Sequence, residues 1–462
     1  MAITRRQFLR RTGLATAGSF LAPPLFANLF ARKALADAIG DRYLIVLFQD
    51  GGNDGLNTVT PISGSLRTIY EAVRGTGTGG IQLTSAELAA TAVGTDPATG
   101  SQLGLHPALT GFKGLWDSNH LAVIQGCGYP DQNLSHATSR GYWESGDRFG
   151  VVAPSGWMGR FLIESGFGGS EIAAVNVRGE VAGEFVQTQT SVLTFDNLNT
   201  FDFPYDESLA GGGTGDTPFK EAAYQALHSA ASGGSEARLK FIGDVGSATL
   251  AASKVYPDLN GFYGGIGGYP SSSVGRNLRD IAKVIYGVEH SYDPTVCARY
   301  FELRNGGYDT HSNQGGGSSG RQFSLHQEVG DAVAHFYDDL EFLGIADKVC
   351  MVIWSEFGRR VNQNSSGTDH GSQAPMFVIG GAVNGGIYGN HPDIGTLDSK
   401  GNTIYSQNDA DSFRSTDFRD VFGTILRHWL NLADPEIIFP RDDWGDPNRY
   451  WEVPDFDLPF LP

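Results

Sequence analysis

The chain has 462 residues and a formal net charge of −18, from 33 Lys+Arg against 51 Asp+Glu. Six of the basic residues fall within the first 36, so the remaining 426 residues carry a net charge near −24. A surface that acidic repels phosphate backbones and anionic lipid, which excludes nucleic acid and a membrane surface as partners.

The first element is an export signal. Thr4-Arg5-Arg6-Gln7-Phe8-Leu9-Arg10 is a twin-arginine box, a mildly apolar stretch runs from Gly13 to Phe30, and Ala34-Leu35-Ala36 offers a small-x-small cleavage site. Arg32 and Lys33 disfavour the general secretory channel. Pro23 and Pro24 argue against a membrane anchor, because a spanning helix needs about 20 uninterrupted apolar residues. The expectation is a signal peptide over residues 1–36, read by the twin-arginine translocase. The chain would fold before export and reach the periplasm or the exterior, with no stable membrane span after cleavage. A metal loaded in the cytoplasm would travel inside it.

Next comes Tyr43-Leu44-Ile45-Val46-Leu47-Phe48, a continuous apolar run ending in Gln49-Asp50-Gly51-Gly52, which reads as a buried parallel strand and a turn. Similar runs recur at Leu121–Gln125, Ile172–Val177, Ala298–Leu303, Val349–Trp354 and Met376–Ile379. Between them, Gln322 to Leu343 places Leu325, Val329, Val333, Phe336, Leu340 and Leu343 on one helical face. Strands alternating with helices predict an α/β fold, doubly wound, with a mostly parallel sheet and helices on both faces. Residues 37–462 read as one domain. Asn197 to Ser235 and Tyr256 to Ser273, rich in Gly and Ser, read as surface loops or inserts. Trp444 to Pro462 reads as coil wrapping the surface. The three cysteines, Cys127, Cys297 and Cys350, are too few for a disulfide framework. Each lies in or beside an apolar run and reads as a core thiol, although one disulfide is compatible with an oxidising periplasm.

Ligands of open α/β sheets bind at the carboxyl ends of the strands, so the polar residues after each run are the candidates. The first run leads to Asp50, Asn53 and Asp54. The run at Leu121 leads to Ser135-His136, at a helix start. The run at Ala298 leads to Asp309-Thr310-His311, and that at Val349 to Ser355-Glu356-Phe357-Gly358-Arg359. A glycine-framed loop then holds Asp369-His370. Carboxylates and imidazoles are ligands for hard and borderline divalent cations. A hydroxyl at a helix start (Ser135), a cation and an arginine (Arg140, Arg359 or Arg360) suit attack on a phosphate or sulfate ester. Each piece has a plainer reading. Asp50-Gly51-Gly52 is a common turn, Asp309-x-His311 fits an Asx-turn, Glu356 fits a structural pair with Arg359, and Ser135 fits a helix cap.

The blocks Leu47–Pro61, Leu105–Leu109 with Ser135-His136, Gly307–Gln314, Ser355–Arg359, Gly367–Gly371 and Asp417–Leu426 resemble, in order, the signature blocks of the domain of unknown function 1501 family. That family is grouped by fold with the alkaline phosphatase and sulfatase superfamily. The resemblance implies a metal site at the strand ends. It would use Asp50 (or Asp54) as first ligand, Ser135 as candidate nucleophile, Asp309 and His311 as a middle pair, and His370 with Asp369 last. Glu356 stands where the superfamily commonly has an Asp-His pair, and the middle ligands are closer together than its usual spacing.

Two functions are thereby expected. The first is an exported metal-dependent hydrolase of a small anionic phosphate or sulfate ester. It would hold zinc, calcium, magnesium or manganese on Asp50, Asp309, His311, Glu356, Asp369 and His370, with Ser135, His136 and Arg359 catalytic. The alternative is an inert family member that binds a glycan or partner in the periplasm or in surface assembly. An oxidoreductase fits less well, because Gly51-Gly52-Asn53-Asp54-Gly55 lacks dinucleotide-binding glycine spacing.

Overall fold

The computed structural model describes residues 40–129, 132–147, 155–167, 169–177, 180–201, 217–392, 394, 415–440 and 455–462. The export signal expected at 1–36, the glycine cluster at 211–215 and residues 444–454 of the tail lie outside the described residues. Among the described residues, no helix is long and apolar enough to cross a membrane.

Among the described residues, nine strands build the main sheet. In chain order they are β1 (Tyr43–Asp50), β2 (Leu121–Gly128), β3 (Gly169–Val177), β4 (Thr190–Phe195), β5 (Tyr300–Gly306), β6 (Val349–Trp354), β7 (Ala374–Gly380), β8 (Gly386–Tyr388) and β9 (Thr416–Asp417). Their order across the sheet is β8-β2-β7-β6-β1-β5-β3-β4, with β9 also on β2. Every pairing is parallel except those of β7, which runs antiparallel to β2 and β6. All six apolar runs are strands, but the run at Met376 is not parallel. The stretch from Trp354 to Ala374 contains no crossover helix. It contains a two-residue ribbon, Gly358–Arg359 against His370–Gly371, and a single bridge between Asn364 and Gly367. A chain that turns back without crossing re-enters the sheet from the edge it left, which makes the next strand antiparallel. The strand expected to begin at Ala298 begins at Tyr300. An edge strand, β4, adds to the expected set, with alternate residues buried.

The helices used below are α1 (His136–Ser145), α2 (Trp157–Glu164), α3 (Thr217–Ser232), α4 (Ala237–Val255), α5 (Ser273–Glu289), α6 (Arg321–Phe342) and α7 (Phe418–Thr424). Because successive strand residues point to opposite faces, β1 feeds two cores. Ile45 and Leu47 share one with Leu278 and Ile281 of α5 and with Val329, Val333 and Phe336 of α6. Leu44, Val46 and Phe48 share the other with Trp143 of α1, Phe161 of α2 and Phe422 of α7. Helices therefore cover both faces, as the alternation of runs and helices predicts. Cys127 and Cys350 are buried in the second core, and the Cys297 thiol donates to the Ile172 carbonyl at 3.5 Å.

The first insert is corrected. Residues 217–232 form a helix, not a loop, and α3 pairs with α4 through Gly243 and Gly246, which lie against His228 and Ser232. The run Phe219-Lys220-Glu221-Ala222-Ala223-Tyr224-Gln225-Ala226-Leu227 consists mostly of good helix formers. The neighbouring glycines had masked that signal. The second insert contains a 3-10 turn, Tyr256–Asp258, and a short helix, Leu259–Phe262, and is otherwise irregular up to α5. In the tail, residues 455–462 are irregular, and Phe456, Phe460 and Leu461 are buried.

Candidate functional site

The carboxyl ends of β1, β2, β5 and β6 and the start of β7 all lie at one edge of the sheet, and the segments leaving them converge there. Helix α1 is fixed at this edge by a column of aromatic rings. Trp143 stacks on Trp354 at 5.0 Å and on Phe418 at 4.2 Å, and Trp354 stacks on Phe48 at 4.3 Å. Such pairs contribute about 0.5–1.5 kcal/mol each beyond area burial. They hold the second half of α1, and through the helix His136 at its start, over the ends of β1 and β6.

Asp309 is the centre of the site. Its Oδ1 lies 3.1 Å from His370 Nε2 and 3.0 Å from His311 Nε2, and its Oδ2 lies 3.5 Å from His136 Nε2. The Nε2 atoms of His311 and His370 are 3.0 Å apart. Candidate ligand atoms of His136, Asp309 and His370 all lie within 4.8 Å of one another.

The other ring nitrogen of each histidine is occupied. His136 Nδ1 is 2.7 Å from Glu356 Oε1, His311 Nδ1 is 3.0 Å from Asp369 Oδ1, and His370 Nδ1 is 2.8 Å from the Leu134 carbonyl. A carbonyl or an ionised carboxylate only accepts, so all three Nδ1 atoms carry the proton. In the neutral imidazoles, three Nε2 lone pairs then face one carboxylate. Like-signed electron pairs converge with no donor of their own to separate them, and Arg359 Nη2 at 2.7 Å from Asp309 Oδ1 answers only one side. A cation relieves this repulsion; so does a proton on an imidazole. Metal-bound histidines are oriented in this way, with the distal N–H held by a carboxylate or carbonyl.

The titration behaviour follows from the contacts. The hydrogen bond that His136 donates to Glu356 raises the pKa of His136, against the opposing effect of partial burial. Burial lowers that of His370, outweighing the Leu134 carbonyl and Asp309. Asp309 is partly desolvated, which raises its pKa, but the Arg359 guanidinium first and then the neighbouring imidazoles win and hold it down at about 2.

The residues singled out from sequence divide into those that meet and those that support. His136, Asp309, His311 and His370 meet. Glu356 is fully buried behind His136 and accepts from Gly51 N (3.0 Å), Gly52 N (3.1 Å) and Ser355 Oγ (3.2 Å). Gly51 and Gly52 adopt φ of +121° and +81°, which suits glycine and turns both amides onto that carboxylate. Asp369 stands behind His311 and also accepts from Asn364 Nδ2 at 2.9 Å. Asp50 pairs with Arg304 of the neighbouring strand. Asp54 is buried in a two-pronged pair with Arg74, at 2.7 and 3.0 Å. Arg359 is buried, and besides Asp309 it donates to the carbonyls of Gly51, Gly52, Tyr308 and Thr368, which ties the loops together. Ser135 precedes α1, is exposed and makes no side-chain capping bond. Two supports carried no sequence signal of their own: the Leu134 carbonyl, which any residue would supply, and Gln314, within the Gly307–Gln314 block.

A family model described as "Protein of unknown function (DUF1501)" matches residues 296–411. This supports the resemblance to that family over a quarter of the chain. The matched span includes Asp309, His311, Glu356, Asp369 and His370 and leaves out Ser135 and His136. No curated protein matches the chain.

Proposed function

We propose that this chain is an exported metal-dependent hydrolase of a phosphate or sulfate ester, built on an alkaline phosphatase/sulfatase-like sheet. The observation that carries the reading is the convergence of three Nε2 atoms on Asp309, each imidazole being held through its Nδ1. His136, Asp309, His311 and His370 would hold the cation. Three imidazoles and one carboxylate suit zinc or manganese better than calcium or magnesium, which prefer all-oxygen shells. Bound there, the cation would supply Lewis acidity toward an ester oxygen. Glu356, Asp369 and the Leu134 carbonyl keep each Nε2 free of its proton and aimed inward. Ser135, exposed beside His136, is the group we assign to attack the ester: its oxygen would bond to phosphorus or sulfur as the bond to the ester oxygen breaks, its proton passing to solvent and the alcohol leaving, and the start of α1 favours the oxyanion that attacks. Arg359 holds Asp309 in place; its hydrogen bonds to loop carbonyls make it a positioning group. The terminal nitrogens of Arg140, one turn beyond His136, are better suited to meet an anionic substrate.

The test is metal analysis of the purified chain with hydrolysis of p-nitrophenyl phosphate and p-nitrophenyl sulfate. About one equivalent of zinc or manganese is expected. Activity should be lost on chelation and in Asp309→Ala, and restored to the unaltered chain by re-adding metal. Protein that takes up neither ion and whose melting is unchanged by chelator would refute the reading and leave the inert binding protein in its place.

A further inference from the structure

Besides α1, two loops carry the cluster: Asp309-Thr310-His311 and Thr368-Asp369-His370. Gln314 sits between them and is fully buried. Its Oε1 accepts from Thr310 Oγ1 at 3.1 Å and from Thr368 Oγ1 at 2.7 Å. Its Nε2 donates to Asp54 Oδ2 at 2.6 Å and to Gln322 Oε1 at 3.1 Å. Both lone pairs and both N–H groups of the amide are therefore used. The donor side is anchored, because Arg74 grips Asp54 and Gln322 lies on α6. The acceptor side joins the loops, each through a threonine next to a cluster residue. Their backbones also touch, with Thr368 N donating to the Thr310 carbonyl at 3.1 Å.

We infer that Gln314 is the positioning residue that sets the spacing of the Asp309–His311 pair against the Asp369–His370 pair, and so the geometry offered to a cation. This rests on the metal reading above. Moving either loop away would strip a buried amide oxygen of a donor, so the two loops move together or not at all. No other residue type replaces this side chain: glutamate offers no donor toward Asp54, and asparagine is one methylene short.

Cobalt(II) is a suitable probe, because its absorption spectrum reports coordination and needs no turnover. Thr310→Val with Thr368→Val keeps side-chain shape and removes both hydroxyl donors, while Thr310→Ser with Thr368→Ser keeps the donors. The valine pair is expected to bind cobalt about 10- to 100-fold more weakly, with an altered spectrum, and the serine pair to restore both. Gln314→Glu, read in the same way, covers the case in which the valine pair does not fold, and it too should weaken cobalt binding. A folded valine pair or Gln314→Glu with unaltered affinity and spectrum overturns the inference. So does a serine pair as impaired as the valine pair, since packing and not the hydroxyls would then be responsible. If the unaltered chain takes up no cobalt, the metal reading itself fails, which separates the two failures.

Discussion

Glu184 allows a quantitative prediction that is independent of any activity. Its side chain is buried at 1 % exposure, and neither carboxylate oxygen has a hydrogen-bond partner. Nearby Glu302 is 4 % exposed and accepts from Asn176 Nδ2 at 2.7 Å. Arg140 is committed through Nε to Glu144 at 2.6 Å. Desolvation first, and then the charge of Glu144, push Glu184 up to about 8 from an ordinary 4.5. Glu302 is raised as well, by burial and then by Glu184. The folded-state value lies above the unfolded one, so the contribution to stability is complete below about 4.5 and is lost as pH rises through about 8. The gap corresponds to roughly 5 kcal/mol at most. That is a large share of the ~5–15 kcal/mol typical of a folded domain. Glu184→Gln keeps the shape and removes the ionisation. Urea unfolding at pH 5, 7 and 9 should show the unaltered chain losing several kcal/mol toward alkaline pH and the variant losing less, keeping only the share that the burial of Glu302 contributes. The variant should be the more stable of the two at pH 9. Parallel pH profiles for the two proteins would refute the reasoning.

Other outcomes follow from the same contacts. Asp54→Ala leaves the Arg74 guanidinium buried without its partner and should cost about 3–5 kcal/mol in chemical denaturation; a loss below 1 kcal/mol would contradict the burial of that pair. Trp143→Ala removes one of the two inner rings of the four-ring column, the one contributed by α1, and should cost about 3–5 kcal/mol. It should also weaken zinc binding, whereas unchanged zinc affinity would mean that the column does not place His136. Zinc affinity should fall as pH drops through the raised pKa of His136, because the proton and the cation compete for Nε2. Competition titrations from pH 6 to 8 would measure this, and a pH-independent affinity would count against His136 as a ligand.

The fold was legible where one local signal was enough. Six continuous apolar runs mark six buried strands, and the three- and four-residue steps from Leu325 to Leu340 mark α6. The helix propensity of α3 was hidden by adjacent glycines. The direction of β7 was invisible, since a strand's residues look alike whichever way it runs. For the site, the chain itself determined which chemical groups would be available: Asp309 and His311 just past a strand end, Asp369 and His370 in the glycine-framed loop that leads into β7, and His136 at a helix start. The division of labour among them was decided only in three dimensions. Glu356 and Asp369 are carboxylates like Asp309, and composition cannot tell a group that faces the cleft from one that stands behind an imidazole. That choice depends on which oxygen the Gly51 and Gly52 amides reach, which nitrogen the Leu134 carbonyl takes, and how Gln314 spaces two loops more than 50 residues apart. These are long-range contacts that exist only once the sheet brings its strand ends together.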